Sequence, residues 1–266
     1  MSIYYRPFGK FMRDKAIASE GLTVDVFRKL KVFEGLPASE LQTLATRMKQ
    51  LRVKRSRTVI VEGLPSNDLY VLLSGVVKVS ATNGANGAVL MGIIVAGEIF
   101  GLHSFLRDPV YKFECNAFTD CVIGQIRARE FCETVARVPF ERFKYIIETA
   151  LGRWWWGLPV WYSRTTRLSV RARTMAMLLE LSRQFGVADS RGMIINLRLR
   201  GDDLAELIGA SRQSVSLEIE DLVRRGKVIR DGRRLLVTGS TQSEQHRVPG
   251  RAAVKSSGRA ARNHSQ

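Results

Sequence analysis

The sequence has 266 residues, which suffices for one large or two modest domains, and its composition of 45% hydrophobic and 25% charged residues excludes a wholly disordered chain. Three cysteines are too few for a secreted disulfide framework, and with neither a secretory signal nor an apolar run of about 18 residues we expect a cytoplasmic protein without a membrane segment. Lys and Arg number 42 against 25 Asp and Glu, and this net charge of +17 indicates a polyanionic partner, either nucleic acid or an anionic membrane surface.

The first half of the chain predicts helices followed by strands. Residues 1–24 show no sustained periodicity and are interpreted as an N-terminal extension. Apolar residues then recur at helical spacing up to residue 50, with a break at Pro37, which predicts two short helices. From residue 51 to 126, short β-branched runs end in glycine or asparagine, a pattern typical of an antiparallel barrel or sandwich. The predicted strands are 58–61, 69–73, 76–79 and 89–95, within a sensor domain at 25–137.

A long helix is predicted at 138–168. Its apolar residues fall at alternating steps of three and four, which is typical of a helix that packs on a second helix. A twofold dimer is the simplest source of that second helix, whereas the alternative is a helix that packs on its own domain. Pro159 is expected to kink or end the helix nearby. The seam comprises Phe140, Phe143, Ile147, Ala150, Trp154, Gly157, Trp161 and Leu168.

The segment 200–222, RGDDLAELIGASRQSVSLEIEDL, predicts a helix-turn-helix within a domain at 169–239. Gly209 provides the turn between two helices, and Ser211 is a natural N-cap for the second. Because the apolar residues of the second helix lie on one stripe, its other residues form a face that is free to contact DNA bases. The two apolar faces comprise Leu204, Leu207 and Ile208, and Val215, Ile219 and Leu222.

We expect the opposite face of the second helix to read bases in the major groove. Arg212, at the start of this helix, suits bidentate contact with guanine, and Gln213 prefers adenine. Leu217, one turn further on, can only touch a thymine methyl group or exclude water. The predicted base-reading residues are Arg212, Gln213, Ser216 and Leu217, and Glu220 lies on the same face.

A basic β-hairpin is predicted after the second helix. Asp231-Gly232 stands between two β-rich runs, which is the strongest short hairpin signal, and the hairpin places basic side chains beside the helix. This makes the unit a winged helix-turn-helix; the alternative is a small α+β domain with a solvated basic hairpin. Residues 240–266 have almost no large apolar group and are expected to form a disordered basic tail. The predicted phosphate contacts are Ser211, Lys227, Arg230, Arg233 and Arg234.

The order of these parts resembles the CRP/FNR superfamily of bacterial transcription regulators. Glu62-Gly63, Leu73-Ser74-Gly75 and GEIFG at 97–101 are similar to the turns of a cyclic-nucleotide-binding β-roll, and IGASR at 208–212 is similar to the DNA-reading element of the family. The resemblance implies an α+β fold with an N-terminal antiparallel, cyclic-nucleotide-binding-like β-roll, a long dimerisation helix and a C-terminal winged helix-turn-helix. It also implies a homodimer that catalyses no reaction and binds double-stranded DNA, not a membrane, at an inverted repeat, with RNA polymerase as a partner.

The resemblance also defines a candidate effector pocket, in which this sequence departs from the cAMP-binding members. Leu102 stands where those members carry a Glu for the ribose. Their Arg-Ser pair for the cyclic phosphate is replaced by Tyr111-Lys112 in one register and by Lys112-Phe113 in another, and Arg107 lies too early for either. We therefore expect a regulator that does not depend on cAMP and whose small-molecule effector is unknown; Lys112 and Arg107 are the substitutes if a cyclic nucleotide binds. The candidate pocket residues are Gly101, Leu102, Arg107, Tyr111 and Lys112.

Other chemistries fit the residues less well. An iron–sulfur sensor needs four thiolates, and Cys115, Cys121 and Cys132 are too few. His103 is the one histidine within the predicted domains, and we interpret it as a structural imidazole rather than a haem ligand. No cofactor and no metal are therefore expected, and no nucleophile or metal motif indicates an enzyme. The alternatives are a cyclic-nucleotide-responsive regulator with non-standard phosphate contacts and a regulatory subunit that acts on a protein partner.

Overall fold

The computed structural model describes residues 21–82, 88–105, 110–152 and 168–239. The described chain forms a β-roll flanked by helices, followed by a helical domain with a small sheet. Within these ranges, no helix is both long and apolar enough to cross a membrane. Several predicted features lie outside the described residues: the extension up to residue 20, the tail 240–266, and Arg107, Trp154, Gly157, Pro159 and Trp161.

Two short α-helices precede the β-roll, as the sequence predicts. Helix α1 spans Val24–Arg28 and α2 spans Ala38–Arg47, with a 3₁₀ turn at Lys31–Phe33 between them. The Thr23 hydroxyl caps α1 by accepting a hydrogen bond from an amide in its first turn. Helix α3, Ala128–Val135, follows the last strand of the roll, and its apolar side packs with the two earlier helices.

The β-roll consists of eight described strands in two antiparallel sheets. The strands are β1 Lys49–Val53, β2 Thr58–Ile60, β3 Asp68–Ser74, β4 Val76–Thr82, β5 Ala88–Val95, β6 Ile99–Phe100, β7 Glu114–Ala117 and β8 Cys121–Arg127. One sheet has the order β1-β8-β3-β6 and the other the order β2-β7-β4-β5. This arrangement confirms the antiparallel architecture that the glycine-punctuated runs predict.

Strand β3 is buried on both faces because alternate side chains enter different cores. Leu69, Val71 and Leu73 pack with the helices that flank the roll, whereas Tyr70 and Leu72 point into the roll. Full burial of such a side chain contributes about 1.5 to 3 kcal/mol relative to exposure. The other buried residues inside the roll are Ile60, Val77, Val79, Ile94, Phe100, Tyr111, Cys115, Ala117, Cys121 and Ile123.

Helix α4, Phe140–Gly152, is the described part of the predicted long helix. The seam predicted for a partner helix includes Ala150, but the structure buries Ala150 in its own domain, one turn from the buried Ile146 and on the same helix face. Phe140 is 71% exposed and Phe143 is 36% exposed. Helix α4 therefore packs on its own domain along one edge and leaves the phenylalanines of the seam in solvent.

The C-terminal domain combines three helices with a four-stranded antiparallel sheet. Its elements are α5 Val170–Phe185, β9 Gly186–Asp189, β10 Gly192–Ile195, α6 Gly201–Ile208, α7 Arg212–Arg224, β11 Val228–Asp231 and β12 Arg234–Thr238. The strand order is β11-β12-β10-β9. The sequence did not predict the β9–β10 hairpin, which provides the sheet on which the basic hairpin lies.

The turn of the basic hairpin is displaced by one residue from its predicted position. Asp231 pairs with Arg234, so the two loop residues are Gly232-Arg233 rather than Asp231-Gly232. Gly232 has a φ of +59° at the first loop position, where a type II′ turn places glycine. Asp231 consequently belongs to β11 and Arg233 lies at the tip of the hairpin.

The turn between β3 and β4 provides a test of the roll's packing. Gly75 has a φ of +93°, and a Cβ atom there would lie 2.5 Å from the Asp120 carbonyl oxygen and 2.7 Å from the Cys121 sulfur. We expect Gly75→Ala to lower the free energy of unfolding by about 2 to 4 kcal/mol, because backbone strain and steric overlap add. Gly63→Ala is the matched control, since Gly63 has a φ of +86° and nothing within 4 Å of its Cβ position. Strain alone should cost this control about 1 to 2 kcal/mol in urea unfolding; equal losses in the two variants would contradict the close approach at Gly75.

Candidate nucleic-acid interface

Helices α6 and α7 are joined by a tight turn at Gly209, whose φ of +66° is left-handed. The Ala210 amide donates to the Ala205 carbonyl at 3.1 Å, which keeps the turn bonded to α6. The Ser211 hydroxyl then caps α7 by accepting a hydrogen bond from the Ser214 amide at 3.1 Å. These local bonds produce the helix-turn-helix that the sequence predicts.

The apolar stripes of α6 and α7 share one core with α5 and the sheet of the C-terminal domain. Burial of the α7 stripe determines which side of this helix faces solvent, because residues half a turn away must point outward. The stripe residues of both helices are buried: Leu204, Leu207, Ile208, Val215, Ile219 and Leu222.

Two arginines of α5 hold the helix-turn-helix in place. Arg171 donates from Nε to Glu218 at 2.9 Å, and its Nη2 atom lies 3.1 Å from Asp221. The hydrogen bond to Glu218 and the two carboxylate charges raise the pKa of Arg171 above its ordinary value. Arg173 donates to the Gly209 carbonyl at 3.1 Å. Helix α5 therefore contacts both the turn and α7 through polar bonds as well as through the core.

Helix α7 exposes the predicted base-reading residues. Gln213 and Ser216 lie in solvent, and Leu217 is 60% exposed, which leaves a large apolar side chain without cover. The Arg212 side chain is 72% exposed, and its Nη1 atom lies 3.4 Å from Asp202 Oδ1. An exposed ion pair of this kind is worth about 0 to 1 kcal/mol, so Arg212 can exchange it for a base or a phosphate at little cost.

The basic hairpin follows α7 directly. Arg230, Arg233 and Arg234 are exposed, whereas Lys227 is half-buried. The Lys227 amide donates to the Leu222 carbonyl at 2.9 Å, which ties the start of the hairpin to the last turns of α7. The hairpin that carries the three exposed arginines is thus joined to the C-terminal end of α7.

Arg191, in the β9–β10 turn, is a basic residue beside the hairpin that the sequence did not single out. Its Nε donates to Asp189 at 2.8 Å, and its Nη2 atom lies 3.7 Å from Asp231. The hydrogen bond from Arg191 lowers the pKa of Asp189. Arg191 therefore pairs with two carboxylates of the hairpin sheet. The sequence offered one signal for this turn: Asp189 is followed two positions later by Arg191 and then by Gly192.

Two of the predicted effector-pocket residues, Gly101 and Tyr111, meet near the end of β6. Gly101 has a φ of +84°, and a Cβ atom there would lie 2.9 Å from the Asp68 carbonyl oxygen. Tyr111 is buried, and its hydroxyl donates to that same carbonyl at 3.1 Å. Leu102 is partly buried against the helical core, and Lys112 is exposed. The structure thus brings Gly101 and Tyr111 together at Asp68 and leaves Lys112 on the surface.

Burial shifts the pKa values of several ionisable groups of the roll in the direction that favours the neutral form. It raises the pKa of Tyr70, with a smaller contribution from the hydrogen bond to Tyr111, and it raises the pKa of Cys115 to about 12. Burial, followed by the charge of Lys112, lowers the pKa of His103, whose ring packs edge-on against two aromatic rings. Among the residues that the structure describes, no group of three His, Cys, Asp or Glu side chains is placed to hold a metal ion.

The two domains together define a class of DNA-binding transcription regulators. Residues 50–138 match the cyclic nucleotide-binding domain and residues 172–239 match the Crp-like helix-turn-helix domain, together more than half of the chain. The chain therefore belongs to the CRP/FNR superfamily of transcription regulators, which confirms the resemblance drawn from the sequence.

Individual relatives cover most of the chain. The CRP-like cAMP-activated global transcriptional regulator of Mycobacterium tuberculosis is 23% identical over 226 residues, 81% of this chain and 96% of that protein. The global nitrogen regulator of Synechocystis is 29% identical over 177 residues, 66% of this chain and 77% of that protein. The structure of the c-di-GMP responsive global regulator CLP of Xanthomonas campestris has a TM-score of 0.67 at 22% identity and covers 76% of this chain and 100% of its own. At that identity, the likeness shows a shared fold.

The N-cap of α7 provides a test that separates stability from DNA contact. Ser211→Ala should lower the free energy of unfolding by about 1 kcal/mol, because the cap is lost. Ser211→Asp and Ser211→Asn both keep a capping oxygen and should retain stability. Only the aspartate places a negative charge where phosphates approach the helix, so we expect it to weaken DNA binding relative to asparagine. Urea unfolding and fluorescence anisotropy measure the two effects, and equal DNA affinities for the Asp and Asn variants would argue against a phosphate at Ser211.

Proposed function

We propose that the protein is a sequence-specific regulator that binds an inverted-repeat operator in double-stranded DNA as a homodimer. The observation that carries the proposal is the face of α7, where Arg212 and Leu217 are exposed while the opposite stripe is buried. The basic hairpin follows this helix and can neutralise phosphates while the helix lies in the major groove. On the ground of the family alone, the proposal includes RNA polymerase as a partner and the cytoplasm as the location.

Helix α4 is the proposed start of the dimer interface. Its exposed Phe140 and Phe143, with the half-buried Ile147 one turn on, form an apolar edge that a second copy of the same edge covers most simply. The predicted seam continues through Trp154 and Trp161, outside the described residues. Helix-turn-helix dimers in general present their two recognition helices about 34 Å apart, one turn of DNA, so we expect the operator to be an inverted repeat.

The proposed domain boundaries follow from this division of roles. We assign 25–137 to the sensor β-roll, 138–168 to the dimerisation helix and 169–239 to the DNA-binding domain. The family matches at 50–138 and 172–239 support the assignment, because they leave the segment between them to the helix.

Selection of binding sites from random DNA tests the function and the base contacts together. The wild type should select an inverted repeat with a guanine contact in each half-site, made by Arg212. Arg212→Ala should cost about 1 to 3 kcal/mol per contact and relax the preference at one symmetric base pair. Leu217→Arg should create a new guanine preference a few base pairs away.

The matched control for this selection is Arg129→Ala. Arg129 is 91% exposed and lies on α3 of the β-roll, so its removal takes away the same charge without touching the recognition helix. The control should select the same operator with the same affinity as the wild type. If Arg212→Ala weakens all sequences equally, Arg212 contacts a phosphate and the proposed register of α7 in the groove is wrong.

We also propose that operator binding does not depend on cAMP. This proposal is supported by the residues of the candidate pocket. Leu102 stands where the cAMP-binding members carry the Glu that binds the ribose, and the buried Tyr111 donates to the Asp68 carbonyl. A buried cyclic phosphate without a bidentate arginine loses its main charge-assisted contact. The second candidate function is a cyclic-nucleotide-responsive regulator, and the observation that favours it is the similarity to the cAMP-activated regulator of M. tuberculosis.

Calorimetric titration with cAMP and cGMP distinguishes these two functions. We expect no binding at micromolar nucleotide and no change in operator affinity in its presence. The Lys112→Ala variant is titrated alongside, because Lys112 is the predicted substitute for the phosphate ligand. Micromolar binding by the wild type that raises operator affinity and is lost in Lys112→Ala would favour the cyclic-nucleotide-responsive alternative.

A further inference from the structure

The sheet β2-β7-β4-β5 is buried on its outer face as well as on its inner face. Val77 and Val79 of β4 point into the roll, and Val76 points outward, as the alternation of a strand requires. Lys78 lies on the same outer face, because it follows Val77 by one residue. The outer apolar side chains share a core with α6 and α7; they are Val76, Ile93, Val95 and Phe118.

Two cations of the β-roll, Lys78 on this outer face and Arg55 in the loop between β1 and β2, pair with carboxylates of α6. The Arg55 Nη2 atom donates to Asp203 at 2.7 Å, and the Lys78 ammonium donates to the Glu206 carboxylate. The four side chains are between 16% and 23% exposed, so salt screens these pairs much less than it screens pairs at the surface. The β-roll therefore contacts α6 through charge as well as through apolar packing.

Arg55 is the more extensively bonded of the two cations. Its Nη1 atom donates to the Arg198 carbonyl at 2.9 Å, and the centre of its guanidinium lies 5.3 Å from the centroid of the Phe118 ring. Its partner Asp203 also accepts a hydrogen bond from the Arg200 amide at 2.7 Å, at the first turn of α6. Arg55 thus reaches from the roll to the side chain that fixes the start of this helix.

The start of α6 lies beside the first residue of the recognition helix. A Cβ atom on Gly201 would lie 3.3 Å from Arg212 Nε, and Asp202 pairs with the Arg212 guanidinium. The contact that orients the first turn of α6 therefore also determines the surroundings of Arg212.

We propose that Arg55 and Lys78 are positioning residues for DNA binding, which hold α6 through Asp203 and Glu206 and so set the orientation in which α7 meets the operator. The inference rests on the proposed operator binding. Apolar packing is non-directional, whereas charges paired at two points specify one arrangement of the domains. Both cations are bound to carboxylates, so in this role neither one contacts a phosphate.

A charge-reversal cycle across Lys78 and Glu206 tests the proposal. Lys78→Glu and Glu206→Lys each place like charges face to face, and each should weaken operator affinity about 5- to 150-fold, the usual range of coupling between two sites. The double variant restores opposite charges and should recover most of the affinity. Lys49→Glu is the control for the change in net charge, because Lys49 is exposed on β1, in the other sheet of the β-roll; its affinity should stay near that of the wild type.

Salt dependence separates positioning from direct contact with DNA. Loss of a phosphate contact reduces the slope of log affinity against log salt by about 1. We expect the wild-type slope in Lys78→Glu and in Arg55→Gln. The proposal is overturned if the salt slope of either variant is reduced. It is also overturned if the single charge-reversal variants bind the operator with full affinity, or if the double variant recovers none of the lost affinity.

A measurement without DNA separates this inference from the proposed function. Amide hydrogen exchange of α6 in the free protein should be faster in each single variant than in the wild type, and slow again in the double variant. If the wild type selects no operator but exchange follows this pattern, the proposed function fails and the contact between the domains stands. Equal exchange in all four proteins would overturn the inference whatever the DNA result.

Discussion

The fold depends on one β-sheet whose two faces are both apolar. In β4, Val77 and Val79 point into the roll and Val76 points out, and in β5 the consecutive Ile93, Ile94 and Val95 are all buried. Exposure of either face to water would cost the free energy that burial of these side chains provides. The strands of the first half therefore require a closed roll on one side and a covering domain on the other, and the helix-turn-helix is that covering domain.

Polar contacts then favour one orientation of the helix-turn-helix domain on this sheet. Asp203 and Glu206 would bring negative charge to the helix that crosses the DNA backbone in a helix-turn-helix. Their pairing with Arg55 and Lys78 directs these charges towards the β-roll and compensates them there. Partly buried pairs of this kind add little net stability, but they favour one geometry over others. The exposed pair between Arg212 and Asp202 is different, because water competes for both partners and DNA can replace the carboxylate.

The parts predicted correctly from the sequence are those whose signals are local. The β-branched runs located β2 to β5, and Gly209 with its flanking helical periods located the helix-turn-helix. The hairpin turn was placed one residue too early, because Asp231-Gly232 and Gly232-Arg233 both offer a glycine to a two-residue turn and only the strand register separates them. Arg55 and Asp203 stand 148 positions apart, and no local pattern marks two such residues as partners. The predicted seam of α4 divides between two environments, because Ala150 packs in the core of its own domain while Phe140 and Phe143 are exposed. Apolar residues spaced three and four apart are compatible with either environment, so the spacing alone could not separate them.

The two-faced sheet also limits how any effector of the β-roll can act on DNA binding. A ligand changes operator affinity only if it binds differently to the two states of the DNA-binding domain, and the operator must then change ligand affinity by the same factor. A ligand inside the roll meets the inner side chains of β4, Val77 and Val79, which flank the outward Lys78 in the chain. A shift of that strand moves the partner of Glu206, and a shift of β5 moves Ile93 and Val95, which share a core with α6. Strands β4 and β5 are therefore both direct physical connections between the interior of the roll and the helix-turn-helix.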